Sequence, residues 1–260
     1  MLNREVGFIG GGRATRIILG GLNKAGRMPR RVVVSDTDSG VLSQLKREHP
    51  EITTALNDNR QPASSWDILF ISIHPPAFKS VADEITPLLN PDSVVISLMA
   101  TISIAELSEA LNGFVRIVRM VPNAPSIINA GYNPVAFSKG MIETERRELL
   151  DLLGVLGDCP VVAEEKLEAY AVVTAMGPTY LCFQLYELEK LGLSFGLTRQ
   201  EVEKGMAAMA RGAVKTMHES GLSADEVMDL IPTKPIGDGE ESIINLYRSK
   251  LEALHKKLKG

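Results

Sequence analysis

Along the chain up to about Thr144, short apolar runs alternate with segments whose apolar positions recur every three or four residues. The runs are rich in β-branched residues and predict buried strands, whereas the segments between them predict helices. Strands are expected at residues 6–9, 31–35, 68–73, 93–98, 114–120 and 134–137, with a short extended piece at 52–54. This alternation is typical of an α/β fold with a doubly wound parallel sheet.

Beyond this region only one short strand, Val161-Val162, is expected, and long amphipathic helices follow. Helices are predicted at residues 164–193, 198–219, from 223 onward and at 240–258. Gly177-Pro178 must kink or restart the first of them, because proline cannot continue the helical hydrogen bonds. The change in pattern predicts a domain boundary near residue 160, with an α/β domain over 1–160 and an all-helical domain over 161–260.

The helical half carries more apolar positions than a domain of its size can bury. Ile243, Ile244, Leu246, Leu251 and Leu254 exemplify this excess in the last helix. We therefore expect a homodimer that forms through the helical domain.

Three consecutive glycines, Gly10, Gly11 and Gly12, separate the first predicted strand from the first predicted helix, which opens with Arg13 and Ala14. Gly10 and Gly12 match the first two glycines of the dinucleotide-binding fingerprint, although its third small position holds a threonine. A helix N-terminus at such a turn offers free N–H groups to a pyrophosphate. The motif predicts a Rossmann-type cofactor site; the alternative is a tight connection without a ligand.

Ser35 and Asp36 end the second strand, near the offset of about 20 residues at which an acidic side chain accepts from the adenosine ribose. We place both residues in the cofactor site, and Asp36 favours NAD over NADP. The alternative is that Asp36 or Asp38 caps the helix beginning near Gly40. Arg30 and Arg31 would attract the 2′-phosphate of NADP. The expected cofactor is therefore NAD or NADP.

His74 and Pro75 end the strand of residues 68–73, and proline forces the chain out of the sheet at its carboxyl edge, where such sheets bind ligands. His74 is therefore expected near the cofactor. Its alternative is a packing or solvent-facing role.

Composition narrows the function classes. With 28 basic and 32 acidic residues and a net charge of −4, the chain has no basic surface for nucleic acid. Lys256, Lys257 and Lys259 end the last predicted helix and complement its dipole. No apolar run reaches membrane-spanning length, and the first five residues lead directly into a strand, which leaves no room for a signal peptide.

The two cysteines, Cys159 and Cys182, lie in apolar contexts and suggest neither a disulfide framework nor a metal site. Both are expected to be buried. These features predict a cytoplasmic protein.

Five segments occur in an order that resembles the pyrroline-5-carboxylate reductase family, of which this chain looks like a divergent member. They are Gly7 to Gly12, Ile71 to Pro75, Ser97 to Ala100, Arg119 to Pro125 (Arg-Met-Val-Pro-Asn-Ala-Pro) and Gly177 to Tyr180. The likeness spans roughly residues 5 to 235. The resemblance implies a Rossmann domain, a helical dimerisation domain and NAD(P)H-dependent reduction of the C=N bond of a cyclic imino acid.

Carried over by position, the resemblance places residues 10–14 at the pyrophosphate. It sets Asn57, His74, Pro75, Ala100 and Asn123 along the ribose and nicotinamide. His74 replaces a residue that is usually lysine in the family. Asp36 replaces a small hydroxyl residue suited to NADP, which again favours NAD.

The substrate half departs from the family pattern. Residues 174–180 match the family's Ser-Gly-Ser-Gly-Pro-Ala-Tyr segment. Thr174 keeps one of its serine hydroxyls, and the other is lost. The family's Ser-Pro-Gly-Gly-Thr-Thr loop, which holds the substrate carboxylate, is here replaced over residues 234–242. Ser242 or Thr233 is the candidate for the missing hydroxyl, and Lys234 for pairing with a carboxylate. Each is otherwise an ordinary loop or cap residue.

Hydride transfer needs positioning and a group that shares a proton with the imine, and Thr174 is the first candidate for that hydroxyl. β-Hydroxyacid dehydrogenases share the first domain but need a lysine on the interdomain helix, and residues 167–189 contain none. A third reading is a catalytically idle dinucleotide-binding dimer that acts as a sensor or partner protein.

Overall fold

The computed structural model describes residues 2–64 and 66–259. Within them, seven strands form one sheet in the order β3-β2-β1-β4-β5-β6-β8, in which all neighbours are parallel except β6 and β8. The strands are β1 (Leu2–Ile9), β2 (Pro29–Asp36), β3 (Thr53–Leu56), β4 (Ile68–Ile71), β5 (Val94–Ser97), β6 (Ile117–Met120) and β8 (Val135–Phe137). β7 (Gly131–Tyr132) and β9 (Gly157–Asp158) form a separate parallel pair.

Helices lie between these strands along the chain, and one follows the last strand. They are α1 (Arg13–Lys24), α2 (Ser39–Glu48), α3 (Arg60–Ala63), α4 (Phe78–Ile85), α5 (Ile104–Ala110), α6 (Glu143–Leu153) and α7 (Leu167–Tyr170). Ser103 caps α5 and Glu106 closes the predicted capping box. The predicted α/β fold with a Rossmann-type sheet is confirmed.

Apolar side chains project from both faces of the sheet and pack against helices. On one face Phe8 of β1 stacks on Phe70 of β4, with ring centroids 4.6 Å apart, and α1, α2 and α6 cover them. On the other face Leu69 and Ile71 pack against Phe78 of α4 and against α5. Successive residues of a strand point to opposite faces, which is why these strands read as continuous apolar runs.

Two strands differ from the prediction. β8 runs antiparallel to β6, because the 14 intervening residues, 121–134, contain a 3₁₀ turn and β7 in place of the crossover helix that a parallel return requires. Val161 makes only an isolated bridge to Val135, so the predicted strand Val161-Val162 does not form.

The chain divides into two compact units. The first unit runs to Met176 and resumes at His255, and the second unit is Gly177–Leu254. The sequence places the boundary near residue 160, whereas α7 and the π-helical turn Ala171–Ala175 belong to the first unit. α7 stays with the sheet because Leu167 and Ala171 are buried against Val121 and Ala136.

The second unit is helical. It contains α8 (Gly177–Ser194), α9 (Arg199–Glu219), α10 (Ala224–Asp229) and most of α11 (Glu240–Lys259). Thr198 and Ser223 cap α9 and α10 as predicted, and the restart at Gly177-Pro178 is confirmed.

The two cysteines have different surroundings. Cys159 is half-buried in the first unit, where burial raises its pKa to about 11, and Cys182 is exposed on α8. The expectation that both are buried is therefore wrong for Cys182, which lies on an exposed part of α8. In the part of the chain that the structure describes, no helix combines the length and apolar character needed to cross a bilayer.

Candidate functional site: a dinucleotide groove

The turn after β1 requires glycine at its first position. Gly10 has a φ of +95°, and a Cβ atom there would lie 2.3 Å from the carbonyl oxygen of Ser72. Its N–H donates to the carbonyl of Ser35 over 2.8 Å. The turn is thus pressed against the ends of the neighbouring strands, which only a residue without a side chain permits.

The N-terminus of α1 is open to a ligand. Gly12 is the cap residue and supplies no side chain, and a Cβ added there would meet nothing within 4 Å. No acidic residue lies in the first turn and no side chain caps it, so the free N–H groups of that turn have no protein acceptor among the described residues. Thr15, at the third fingerprint position, is buried and donates to the carbonyl of Gly10 over 2.6 Å. This cradle fits a pyrophosphate.

A groove of about 650 Å³ extends from this helix N-terminus. Its walls come from the glycine turn, the start of α1, one side of α2, the chain after β4 and the chain after β5. It lies at the carboxyl ends of the strands, where the strand order reverses at β1. The structure brings together seven of the predicted cofactor residues as its lining: Gly11, Gly12, Arg13, Ala14, His74, Pro75 and Ala100.

Asp36 is tied to the glycine turn. One oxygen of its half-buried carboxylate accepts from the N–H of Gly11 over 2.7 Å, and the other accepts from the N–H of Asp38 over 2.9 Å. Asp38 caps α2, accepting from Gly40 over 2.7 Å and from the following N–H over 3.2 Å. Of the two roles considered for Asp36, the helix cap therefore falls to Asp38.

Five predicted cofactor residues do not line the groove: Gly10 and Asp36, whose contacts are given above, and Ser35, Asn57 and Asn123. The Ser35 side chain is fully buried and donates to Asn59 over 2.8 Å. Asn57 is exposed at a φ of +53°, with its N–H on the carbonyl of Asp36. Asn123 is buried, and its side-chain oxygen accepts from the N–H of Tyr132 over 3.0 Å. The hydroxyl of Ser35 and the amide oxygen of Asn123 thus have partners within the protein.

The predicted substrate residues are divided between the units. Thr174 is half-buried in the π-helical turn of the first unit and donates to the carbonyl of Tyr170 over 2.7 Å. Lys234 and Ser242 are exposed in the second unit.

Arg16 and Gln44 also line the groove, and no sequence motif identifies them. Both contact Glu48: Arg16 donates to it over 2.7 and 3.2 Å, and Gln44 over 3.0 Å. The hydrogen bond from Arg16 holds the pKa of Glu48 below its usual value. The signal in the sequence was the spacing of Arg13 and Arg16, which are neighbours on the surface of a helix.

Arg119 is a third residue whose place the sequence did not reveal. It is 4 % exposed at the carboxyl end of β6 and donates to Glu164 and Glu168, each over 2.9 Å. It also donates to the carbonyl of Ala100 over 2.6 Å. Its contacts therefore reach the wall of the groove.

The strand order, the glycine turn and the groove define a dinucleotide-binding protein of the Rossmann class. Comparison with known proteins agrees: residues 5–101 match the family model described as NADP oxidoreductase, coenzyme F420-dependent.

The relatives extend beyond this domain. The chain is 28 % identical to pyrroline-5-carboxylate reductase of Corynebacterium melassecola, over 85 % of this chain and 83 % of the relative. It is 26 % identical to the Escherichia coli (strain K12) enzyme of the same name, over 88 % and 85 %.

Solved structures show the same likeness. The pyrroline-5-carboxylate reductase of Coxiella burnetii has a TM-score of 0.73 at 25 % identity, covering 99 % of both chains. The Plasmodium falciparum pyrroline carboxylate reductase with NADP bound has a TM-score of 0.80 at 20 % identity, covering 100 % and 98 %. The resemblance to the pyrroline-5-carboxylate reductase family is confirmed over most of the chain.

Proposed function

We propose that this protein is an NAD(P)H-dependent reductase that reduces the C=N bond of a cyclic imino acid of the pyrroline-5-carboxylate type. The observation that carries the proposal is the uncapped N-terminus of α1, which opens into a groove whose lining includes Ala100. The names of the relatives support it, since those compared are enzymes. They give no support to the idle-dimer alternative.

The bound cofactor supplies the hydride, so the chain has to bind and orient it. The N–H groups at the start of α1, with Arg13, would hold the pyrophosphate. The chain after β4, with His74 and Pro75, and the chain after β5, with Ala100, would bound the other half of the cofactor. Each group is fixed by the sheet, which limits the reorganisation needed at the moment of reaction.

Thr174 is our proposed contact for the imine nitrogen. Its hydroxyl hydrogen points to the Tyr170 carbonyl, which leaves the oxygen lone pairs to accept from a protonated imine. A Thr174→Val variant keeps the shape of the side chain and removes the hydroxyl. We expect turnover to fall about 10-fold or more with cofactor affinity unchanged; unchanged turnover would remove Thr174 from the mechanism.

Lys234 and Ser242 are proposed to hold the substrate carboxylate and to face the imine. An ammonium and a hydroxyl suit these tasks, and both side chains are exposed. Lys234→Met is expected to raise the KM for the imino acid with the KM for NADH unchanged. An unchanged KM for the imino acid would reduce Lys234 to an ordinary loop residue.

NAD is the proposed cofactor. The Asp36 carboxylate, held at the end of β2 by the Gly11 N–H, would repel a 2′-phosphate. Dissociation constants for NADH and NADPH test this preference. We also propose a homodimer through the helical half and a cytoplasmic location.

The decisive experiment is NADH oxidation with a panel of cyclic imines and keto acids. We expect turnover with pyrroline-5-carboxylate and none with open-chain keto acids. Tight NADH binding without turnover of any imine would contradict the proposal and favour the idle dimer.

A further inference from the structure

Arg119 connects three segments of the first unit. Its Nη2 donates to the carbonyl of Ala100, in the wall of the groove, and to Glu168 on α7. Its Nη1 donates to Glu164, whose same oxygen accepts from the N–H of Ile104 over 2.6 Å at the start of α5. One guanidinium thus links the chain after β5 to Glu168 on α7 and, through Glu164, to the start of α5.

A stabilising role alone does not explain this cluster. Removing charges from water is costly, and a buried ion-pair group is often no more stabilising than apolar side chains of the same volume. Glu168 is 9 % exposed and Arg119 4 % exposed, so both bear that cost. What the planar guanidinium supplies instead is geometry, because it presents several donors in fixed directions, which lysine cannot.

The position of Ala100 in the fold indicates which half of the cofactor Arg119 would affect. In a Rossmann sheet the adenosine half of the cofactor lies toward β2, on the side of Asp36, so the other half lies toward β4 and β5. Ala100 follows β5 and belongs to that side.

We propose that Arg119 is a positioning residue for the nicotinamide half of the cofactor, acting through the backbone of residues 98–101. It holds the Ala100 carbonyl in place, with Glu164 and Glu168 as its anchors. The inference rests on the proposed function for the identity of the cofactor.

The test is Arg119→Lys, which keeps the charge and loses the planar donor set. Calorimetric titration compares NADH with ADP-ribose, which has no nicotinamide. We expect the dissociation constant for NADH to rise about 10-fold and that for ADP-ribose to change less than about twofold. If Arg119 had a purely structural role, the variant would bind both ligands more weakly to the same extent, or would bind both unchanged. Either result would overturn the proposal.

Arg116→Lys is the matched control. Arg116 stands just before β6, at the opposite end of the strand, and pairs with Glu145 at 2.7 Å and Asp92 at 3.6 Å. Both titrations should be unchanged in this variant, and an NADH-specific loss there equal to that of Arg119→Lys would count against the assignment.

Glu168→Leu covers the case in which Arg119→Lys does not fold. It removes one anchor and leaves Arg119 neutralised by Glu164, so no uncompensated charge is buried. The same loss specific to NADH is expected, about threefold, and its absence would overturn the proposal. If the variants show this NADH-specific loss but the wild-type protein reduces no imine, only the proposed function is refuted.

Discussion

The two units of the chain differ sharply in how much apolar surface they cover. Nearly all the buried hydrophobic residues belong to the first unit, whereas Val202 is the one buried hydrophobic residue in the second unit among those described. In the second unit, by contrast, Phe183 is 67 % exposed and Ile236 is 73 % exposed.

This difference in apolar burial shows that the two units are stabilised differently. The groove of the first unit is built by a closed core, and its glycine turn is fixed by backbone contacts. Helices that expose so much apolar surface need a further partner to cover them. The first unit therefore closes its own core, whereas the second unit leaves apolar helix faces exposed.

The largest effect is expected from the glycine turn. Gly10→Ala places a methyl group against the carbonyl of Ser72 in a backbone conformation that alanine avoids. We expect the free energy of unfolding to fall by about 3 kcal/mol, measured by urea denaturation. Gly12→Ala is the control: with open space around Gly12, only the poorer N-cap should lower the free energy of unfolding, by less than about 1 kcal/mol, while NADH binding weakens. Equal stability of the two variants would contradict this account of the turn.

The cysteines compare the two units directly. Because burial raises the pKa of Cys159 to about 11, its thiolate is scarce at neutral pH, whereas Cys182 is exposed. We expect iodoacetamide to modify Cys182 about 100-fold faster, as followed by peptide mass spectrometry. Equal rates in the folded monomer would refute the difference. A slow Cys182 that becomes fast on dilution would place it under a partner chain.

Assembly is tested at Phe183. Phe183→Asp puts a charge on the exposed face of α8 and is expected to weaken dimerisation about 30-fold or more. Equilibrium sedimentation measures the shift. Leu56→Asp, at an exposed leucine of the first unit, is the control and should remain dimeric. A wild type that is monomeric at micromolar concentration would end the dimer proposal.

The smallest effect concerns cofactor choice. Asp36→Ser keeps an acceptor for the Gly11 N–H and removes the negative charge that we propose repels a 2′-phosphate. We expect the ratio of the NADPH and NADH dissociation constants to shift about 10-fold toward NADPH. Asp38→Ser retains a capping hydroxyl and should leave the ratio unchanged. Tighter NADPH binding by the wild type would contradict the proposed preference for NAD.

The sequence predicted the sheet and seven of the residues that line the groove because both depend on local signals. β-Branched runs identified β2 and β4, and the glycines with the His74-Pro75 strand end located the groove. Glycine and proline act through their own backbone geometry, so their effect is readable without knowing their neighbours.

Other features depend on contacts between residues far apart in the chain. Arg119 meets Glu164 and Glu168, 45 and 49 residues later, which no spacing rule indicates. The burial of Ser35 likewise depends on Asn59, which a neighbouring segment supplies. The unit boundary lies beyond residue 160 because α7 packs on the sheet, a tertiary contact that the helical pattern alone does not reveal.

The chain leaves the first unit after Met176 and rejoins it at His255, so the second unit is an insertion held at both ends. The entropic cost of closing such a loop grows only with the logarithm of its length. Residues can therefore be added or removed at the connections around Gly196 and Gly221 with little penalty to the nucleotide fold. This layout allows the helical unit to change in length while the core of the nucleotide fold stays constant.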